Sequence, residues 1–583
     1  MTATSKLRTP ELPLLEPPLD LPTRPASARP ATPSVADLVS GSAGRPPRRP
    51  AATRRAATFG KAWVRRHRVS LVVLTGLLVV VGVVHGVGMT RMPGPVDDEG
   101  TYMAQAWAVQ VRHTLTPYTY WYDHPPLGWI QLAGWTWVTH AFGGATLAVD
   151  AGRRIMLVYA LADAALLYLI ARRLRLTRVW ASVAVLAFAL SPLAVDYQRM
   201  VYLDNVAMPW LLGAFALALT PRRRLWTFGA SGACFAVAVL SKETMLLFAP
   251  ALLYQVWQRA HRSTRAFCVT AQASVFALIV AMYPLLALLK GELVPGPGHV
   301  SLASSIVFQL SGRQGTGNPF NQASQAHSLV AGWLQVDPWL LVAGALCVPI
   351  GLSVRRFRPV AVAQAVALLD VVHGGYLPVP YVIALLPFGA LLVAAAGSTL
   401  RSLSGWPSDR RPRAALLAGA LLAGAGVALA SLVPAWGAGL RTYMTQDEMA
   451  PTAHAETWVE QHVPRTDRLL TDDTVWTDLV DHGFDRPLGV VWFYKLGYVN
   501  NLDPSVSRVL GGGWRDFQYV LVTPSMRAAL AGGGLPQVAE AVQHSTPSAT
   551  FGSGSDQIVV RRIHPPAARP HPSAEQGATH GKH

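Results

Sequence analysis

Residues 70–87 read SLVVLTGLLVVVGVVHGV, and a short turn later the chain reaches Asp97-Asp98-Glu99-Gly100. An apolar run of that length crosses a bilayer as a helix. Three adjacent carboxylates near its exit are more than a simple anchor needs. Carboxylates held at a membrane surface suit either ion transport or acid–base chemistry on a lipid-borne substrate.

Composition supports the membrane reading. Apolar residues make up 51% of the chain and charged residues only 14%, with a mean hydropathy of +0.29, as expected of a membrane protein with soluble appendages. The formal charge of +18 does not imply nucleic acid. The arginines fall in short clusters between apolar runs, the pattern of cytoplasmic loops, so membrane lipids are the expected partners. Cys234, Cys268 and Cys347 lie within apolar runs and read as small core residues, with no disulfide framework.

Apolar runs near 70–88, 154–171, 179–195, 205–219, 225–240, 244–258, 266–289, 337–353, 359–372, 378–397 and 414–436 predict about eleven spans. The basic stretch 61–68 sets the N-terminus in the cytoplasm, and five arginine clusters, beginning at Arg172, Arg222, Arg259, Arg355 and Arg410, fall on the same side. The expected organisation is a Pro/Ala/Arg-rich disordered tail (1–62), a transmembrane domain (63–440), an extracytoplasmic α/β domain (441–563) and a disordered tail (564–583). The first run begins too far from Met1 for a cleavable signal, so it reads as a retained span. The aromatic-rich loop 91–152 fits helices lying in the membrane interface, and 290–336 suits a mobile lid. In the outer domain, 468–471, 517–523 and 557–563 read as strands and 455–462 as helix. Gly511-Gly512-Gly513 and Gly532-Gly533-Gly534 lack the strand-to-helix setting of a nucleotide loop, and the tail histidines lack the spacing of a metal site.

The ionisable residues of the apolar region converge on one side. Asp97, Asp98 and Glu99 follow the first span, Arg199 and Asp204 link the third and fourth, and Lys242 and Glu243 link the fifth and sixth. The bland reading of Arg199 with Asp204, and of Lys242 with Glu243, is an ion pair stitching two helix ends. Arg153 and Arg154 break the charge rule, either snorkelling to lipid phosphates or lining an anionic site. A mixed cluster on the outer leaflet fits sugar transfer from a polyprenyl phosphate. A Lys or Arg would neutralise the departing phosphate, and a carboxylate would take the acceptor's proton as its hydroxyl attacks the anomeric carbon. That is a single displacement with inversion. No cofactor is required, although a divalent cation could sit with phosphate on Asp97, Asp98 and Glu99. A secondary transporter could use the same carboxylates, but the paired half-repeats of such folds are not visible.

The stretch Asp98-Glu99-Gly100-Thr101-Tyr102 with Ala104 and Ala106, followed by His124-Pro125-Pro126-Leu127, resembles the polyprenyl-phosphate-dependent membrane glycosyltransferases of the GT-C class. These include the protein O-mannosyltransferases and the aminoarabinose transferases of lipid A. Arg199…Leu203-Asp204-Asn205, Ser241-Lys242-Glu243 and Tyr376-Leu377-Pro378 sit where those families also carry charged or proline-marked positions. The resemblance spans roughly residues 70–400. It implies a GT-C-like bundle in the plasma membrane, a polyprenyl-phosphate sugar as donor, and a protein, lipid or cell-wall glycan as acceptor. It also implies Asp98 as the base, with Asp97 and Glu99 beside it. His124, Arg199, Asp204, Lys242, Glu243 and Tyr102 would bind substrate.

Overall fold

A computed structural model describes residues 51–144, 147–221, 224–404, 412–496, 503–511 and 513–564. The expected tails at 1–50 and 565–583, and Arg222, Arg223, Arg410 and Arg411 of the charge clusters, lie outside them. The chain divides into two compact units, residues 1–67 and 68–583. The second unit carries both the helical bundle and the sheet domain.

The helices are α1 (Ala51–Gly86), α2 (Asp97–Trp107), α3 (Leu127–Thr139), α4 (Ala148–Arg173), α5 (Arg178–Ala189), α6 (Pro192–Arg199), α7 (Leu203–Ala218) and α8 (Leu225–Ser241). A 3-10 turn, Glu243–Phe248, leads into α9 (Ala249–Arg259), followed by α10 (Arg265–Val280), α11 (Met282–Leu289), α12 (Leu302–Val307), α13 (Gln325–Val336), α14 (Pro338–Leu346) and α15 (Val348–Ser353). Then come α16 (Arg358–Val372), α17 (Val382–Ser404) and α18 (Pro412–Thr445). Because α1 begins at Ala51, the part of the expected disordered tail from 51 to 62 is helical.

Every expected apolar run falls on a helix. Among the described residues, five helices are long and apolar enough to cross a membrane, or seven if each of two bent pairs counts as one span. The runs at 205–219, 225–240, 244–258 and 359–372 correspond to shorter helices. Two runs are not straight. The third breaks between α5 and α6 with a bend of 62°, where Ser191 caps α6 and Pro192 occupies its first turn, a position proline tolerates because its missing N–H is not needed there. The eighth meets α13 at 106°. At that corner the buried Asp337 caps α14 and accepts hydrogen bonds from the Trp436 indole (3.1 Å) and the Ser191 hydroxyl (2.5 Å). One carboxylate thus ties the starts of α6 and α14 to the side of α18.

Beyond α18, the helices α19 (Ala450–His462), α20 (Trp476–Asp481), α21 (Pro504–Ser507), α22 (Pro524–Ala531) and α23 (Pro536–Gln543) surround a five-stranded sheet. Its strands are β1 (Leu469–Thr471), β2 (Val490–Trp492), β3 (Tyr519–Val522), β4 (Ser545–Phe551) and β5 (Ile558–Ile563), in the order β2-β1-β3-β5-β4. β1 pairs in parallel with β2 and β3, and β5 runs antiparallel to β3 and β4. Sequence patterning locates β1, β3 and β5 but not β2 or β4. β2 is only three residues long, and β4 carries Ser, Thr and Pro with little burial.

The aromatic loop carries α2 and α3, and part of its aromatic surface packs on the sheet domain. Trp107 and Tyr118 join the core of the sheet domain, where Trp107 meets Trp476 edge-on at 5.5 Å and Tyr118 meets Trp492 at 4.6 Å. Burial against another aromatic surface outcompetes the headgroup layer for these rings. Trp137 remains 66% exposed. The segment expected as a lid is also partly ordered, since it contains α12 and α13.

Candidate active site

α2 carries the acidic trio in its first turn, where the positive end of the helix dipole favours carboxylates. Gly100 decides how close this turn can come to the sheet domain. A Cβ there would lie 2.3 Å from the Asp473 carbonyl carbon and 2.4 Å from the Thr474 nitrogen, so the helix docks backbone to backbone.

The trio is split three ways. Glu99 is fully buried and meets the equally buried Arg153 side by side, accepting from Nε at 2.8 Å and Nη2 at 2.6 Å. It also accepts from the Val201 amide at 2.9 Å. Arg153 fills its remaining donors with the carbonyls of Pro93 and Gly94. It therefore neither snorkels nor lines an anionic site, whereas Arg154 is exposed. Asp97 accepts from the Ser525 hydroxyl of the sheet domain at 2.6 Å. Burial raises its carboxyl above the usual range, opposed by that hydrogen bond. Asp98 is exposed and makes no hydrogen bond among the described residues.

Asp98 opens onto a cavity of about 1070 Å³ bounded by α2, the His124 loop, the turn after α8, residues 309–313, residues 370–380 and the start of α22. Asp97, Asp98, Tyr102, His124, Lys242 and Glu243 all line it. Glu99, Arg199 and Asp204 are not among its lining residues. Arg199 is buried, and its two terminal nitrogens donate to four backbone carbonyls, those of Val84, Val87, Met92 and Tyr443. It holds the end of α1 against the end of α18 and forms no ion pair with Asp204. Neither the expected binding role nor the expected helix-end ion pair describes it. Asp204 is buried in the first turn of α7, one of its oxygens without a hydrogen-bond partner. It acts on the Lys242 ammonium together with Glu243 and Asp98.

On the cavity wall, His124 Nδ1 lies 3.0 Å from both Glu243 oxygens and its Nε2 lies 3.2 Å from Lys242 Nζ. A carboxylate on one ring nitrogen fixes the proton there and leaves the other as an acceptor for an ammonium. Lys242 and Glu243 are 4.0 Å apart, so the expected pair exists as the edge of a three-membered network. The Tyr102 ring centre is 6.4 Å from that of His124.

Sequence reasoning missed several lining groups. The Arg313 guanidinium stacks 3.3 Å from the centre of the Tyr376 ring, a cation held over an aromatic face, and His373, Asp370, Tyr202 and Ser525 share the cavity. The motif around Tyr376-Leu377-Pro378 and the reading of 290–336 as a lid are the sequence signals that pointed there. A second chamber of about 120 Å³ shares Pro95, Asp97, Pro524 and Ser525 with the first and continues toward Glu448, Asp472 and Thr474. Burial, then the charge of Asp97, pushes the Asp472 carboxyl up to about 7.

Residues 123–286 match the family model of the dolichyl-phosphate-mannose-protein mannosyltransferases. The matched segment includes His124, Lys242 and Glu243 but begins after the acidic trio. The fold is similar to that of ArnT from Cupriavidus metallidurans bound to undecaprenyl phosphate, at 16% identity and a TM-score of 0.52 over 84% of this chain and 97% of that one. The apo form of ArnT gives 16% and 0.50 over 85% and 98%. The oligosaccharyltransferase AglB from Archaeoglobus fulgidus, in complex with an inhibitory peptide and a dolichol-phosphate, gives 14% and 0.47 over 86% and 76%. No curated protein matches. The matched segment and the shared fold point the same way: the chain has the fold of ArnT and, over residues 123–286, is similar to the dolichyl-phosphate-mannose-protein mannosyltransferases.

Proposed function

We propose that this chain transfers a sugar from a polyprenyl-phosphate carrier to an acceptor hydroxyl on the extracytoplasmic face of the plasma membrane, in one inverting displacement. The observation that carries the reading is Asp98, an exposed carboxylate without a hydrogen bond among the described residues, on the wall of a cavity that Lys242 also lines. The acceptor hydroxyl gives its proton to Asp98 as its oxygen bonds to the anomeric carbon. The bond from that carbon to the phosphate oxygen breaks, and the polyprenyl phosphate leaves with the electron pair. Lys242 stabilises the charge that develops on it, and Arg313 is placed to add a second cation. Asp97 positions α2 against the sheet domain through Ser525. The smaller chamber, lined by carboxylates and hydroxyls, suits a hydroxyl-bearing acceptor, whether protein, lipid or cell-wall glycan.

Purified protein given synthetic polyprenyl-phosphate sugars and a panel of acceptors should release carrier phosphate and form glycosylated acceptor. No release with any sugar would sink the proposal. Lys242→Met is expected to lower transfer by about 10²–10³-fold, the usual loss on removing one charge-stabilising donor. His124 stays beside Glu243, so thermal unfolding should change little. A variant that fails to fold would assign Lys242 to the ion-pair network instead.

The donor argument also needs α2 and the sheet domain on the outer side, with the N-terminus in the cytoplasm. Single cysteines at Thr114 and Ser507 should react with an impermeant thiol reagent on intact cells, while one at Ser402 should react only after permeabilisation. Protection of Ser507→Cys on intact cells would overturn this orientation.

A further inference from the structure

Glu456 and Glu460 stand one turn apart on α19 and so share a helix face, and His482 follows the last residue of α20. One ligand atom from each of the three lies within 4.8 Å of the other two, and His482 already forms an ion pair with Glu460. Glu456 is only 7% exposed and accepts no hydrogen bond among the described residues. The charged groups that act on it, Asp478, Glu460 and Asp150, are all acidic. Asp478 is 6% exposed; one oxygen accepts from the Ala148 amide at 2.8 Å, while the other is buried without a partner.

Like charges drawn together out of water need a counter-charge or a proton. Two carboxylates and an imidazole converging on one point offer the ligand set of a dication, with a fourth position for water. An imidazole nitrogen in the set favours zinc over the oxygen-seeking magnesium and calcium.

We propose that Glu456, Glu460 and His482 bind one divalent transition-metal cation, Zn²⁺ by the chemistry of the set, with the adjoining Asp478 carboxylate as further charge that it neutralises. The cation joins α19, the first helix after α18, to α20, which packs on α2. Through Asp478 and the Ala148 amide it also reaches the start of α4. It is thus a brace between the sheet domain and the helix that carries Asp98, separate from the cavity. The proposal stands on this cluster alone, whatever reaction the cavity performs.

The full chain in detergent, stripped with EDTA and dialysed against Zn²⁺, tests it by elemental analysis and thermal unfolding. The parent should retain about one more zinc per chain than Glu460→Gln or His482→Gln, and zinc should raise its Tm by about 2 °C or more. Glu456→Gln should melt above the parent in EDTA, having lost a buried repulsion, yet show no further rise with zinc. This variant removes charge rather than adding it, so it remains informative should His482→Gln fold poorly. Equal zinc uptake and equal Tm response in parent and variants, as binding by the tail histidines would give, would overturn the proposal. So would a parent that takes up no zinc.

Discussion

Asp98→Asn is expected to bind the donor lipid as tightly as the parent and to lose turnover by about 10²–10⁴-fold, the range that a positioned general base contributes. The amide preserves size and can still hydrogen-bond, but it cannot accept the acceptor's proton. The expectation is sharper for Asp98 than for its neighbours because of what each already does. Asp97 is engaged by Ser525 and Glu99 by Arg153, whereas Asp98 lines the cavity without a hydrogen bond among the described residues. Asp97→Asn should be milder, since an amide can keep the Ser525 contact. Donor-lipid binding measured beside turnover in both variants separates the roles. Full activity in Asp98→Asn with loss in Asp97→Asn would move the base by one residue. Full activity in both would remove the aspartates from the chemistry and leave His124 as the base to test.

Much of this arrangement is legible in the sequence, because spans and charge runs are signals carried by local composition. The apolar runs are all helices, and four of the charged positions picked out, Asp97, Asp98, Lys242 and Glu243, share a cavity wall with His124 and Tyr102. What the sequence could not convey is the partner of each charge. Arg199 lies five residues before Asp204 and invites a pair, yet its donors reach carbonyls at Val84 and Tyr443, far off in the chain. Arg153 looked like a breach of the charge rule because Glu99, its partner, lies a loop and a helix away. Trp and Tyr suit both a headgroup layer and a protein interface, so the sequence does not show that Trp107 and Tyr118 pack on β2 and α20. Arg313 comes to the cavity from the segment read as a lid and His373 from just before Tyr376-Leu377-Pro378, so their neighbourhoods are marked while the side chains themselves carry no signal of their own.

Glu99 illustrates how a residue inside the most telling motif can serve the fold rather than the chemistry, and its replacement carries the largest expected stability effect. Glu99→Gln leaves the Arg153 guanidinium fully buried without its carboxylate. Removing one partner of a buried ion pair costs about 3–5 kcal/mol, because the charge left behind has lost its compensation and cannot return to water. Against a typical total of about 5–15 kcal/mol, that is enough to lower expression and thermal midpoint together. The carbonyls of Pro93 and Gly94 soften the loss without neutralising the charge. Arg153→Met should be similarly damaging, since it strands Glu99 with only the Val201 amide. The pair Glu99→Gln with Arg153→Met should recover much of either loss, as apolar or neutral replacements of whole buried pairs often do. A double-mutant cycle on thermal unfolding therefore reads the coupling directly. A catalytic role for Glu99 predicts the reverse pattern: a normally folded single variant without turnover, and no rescue by the second substitution.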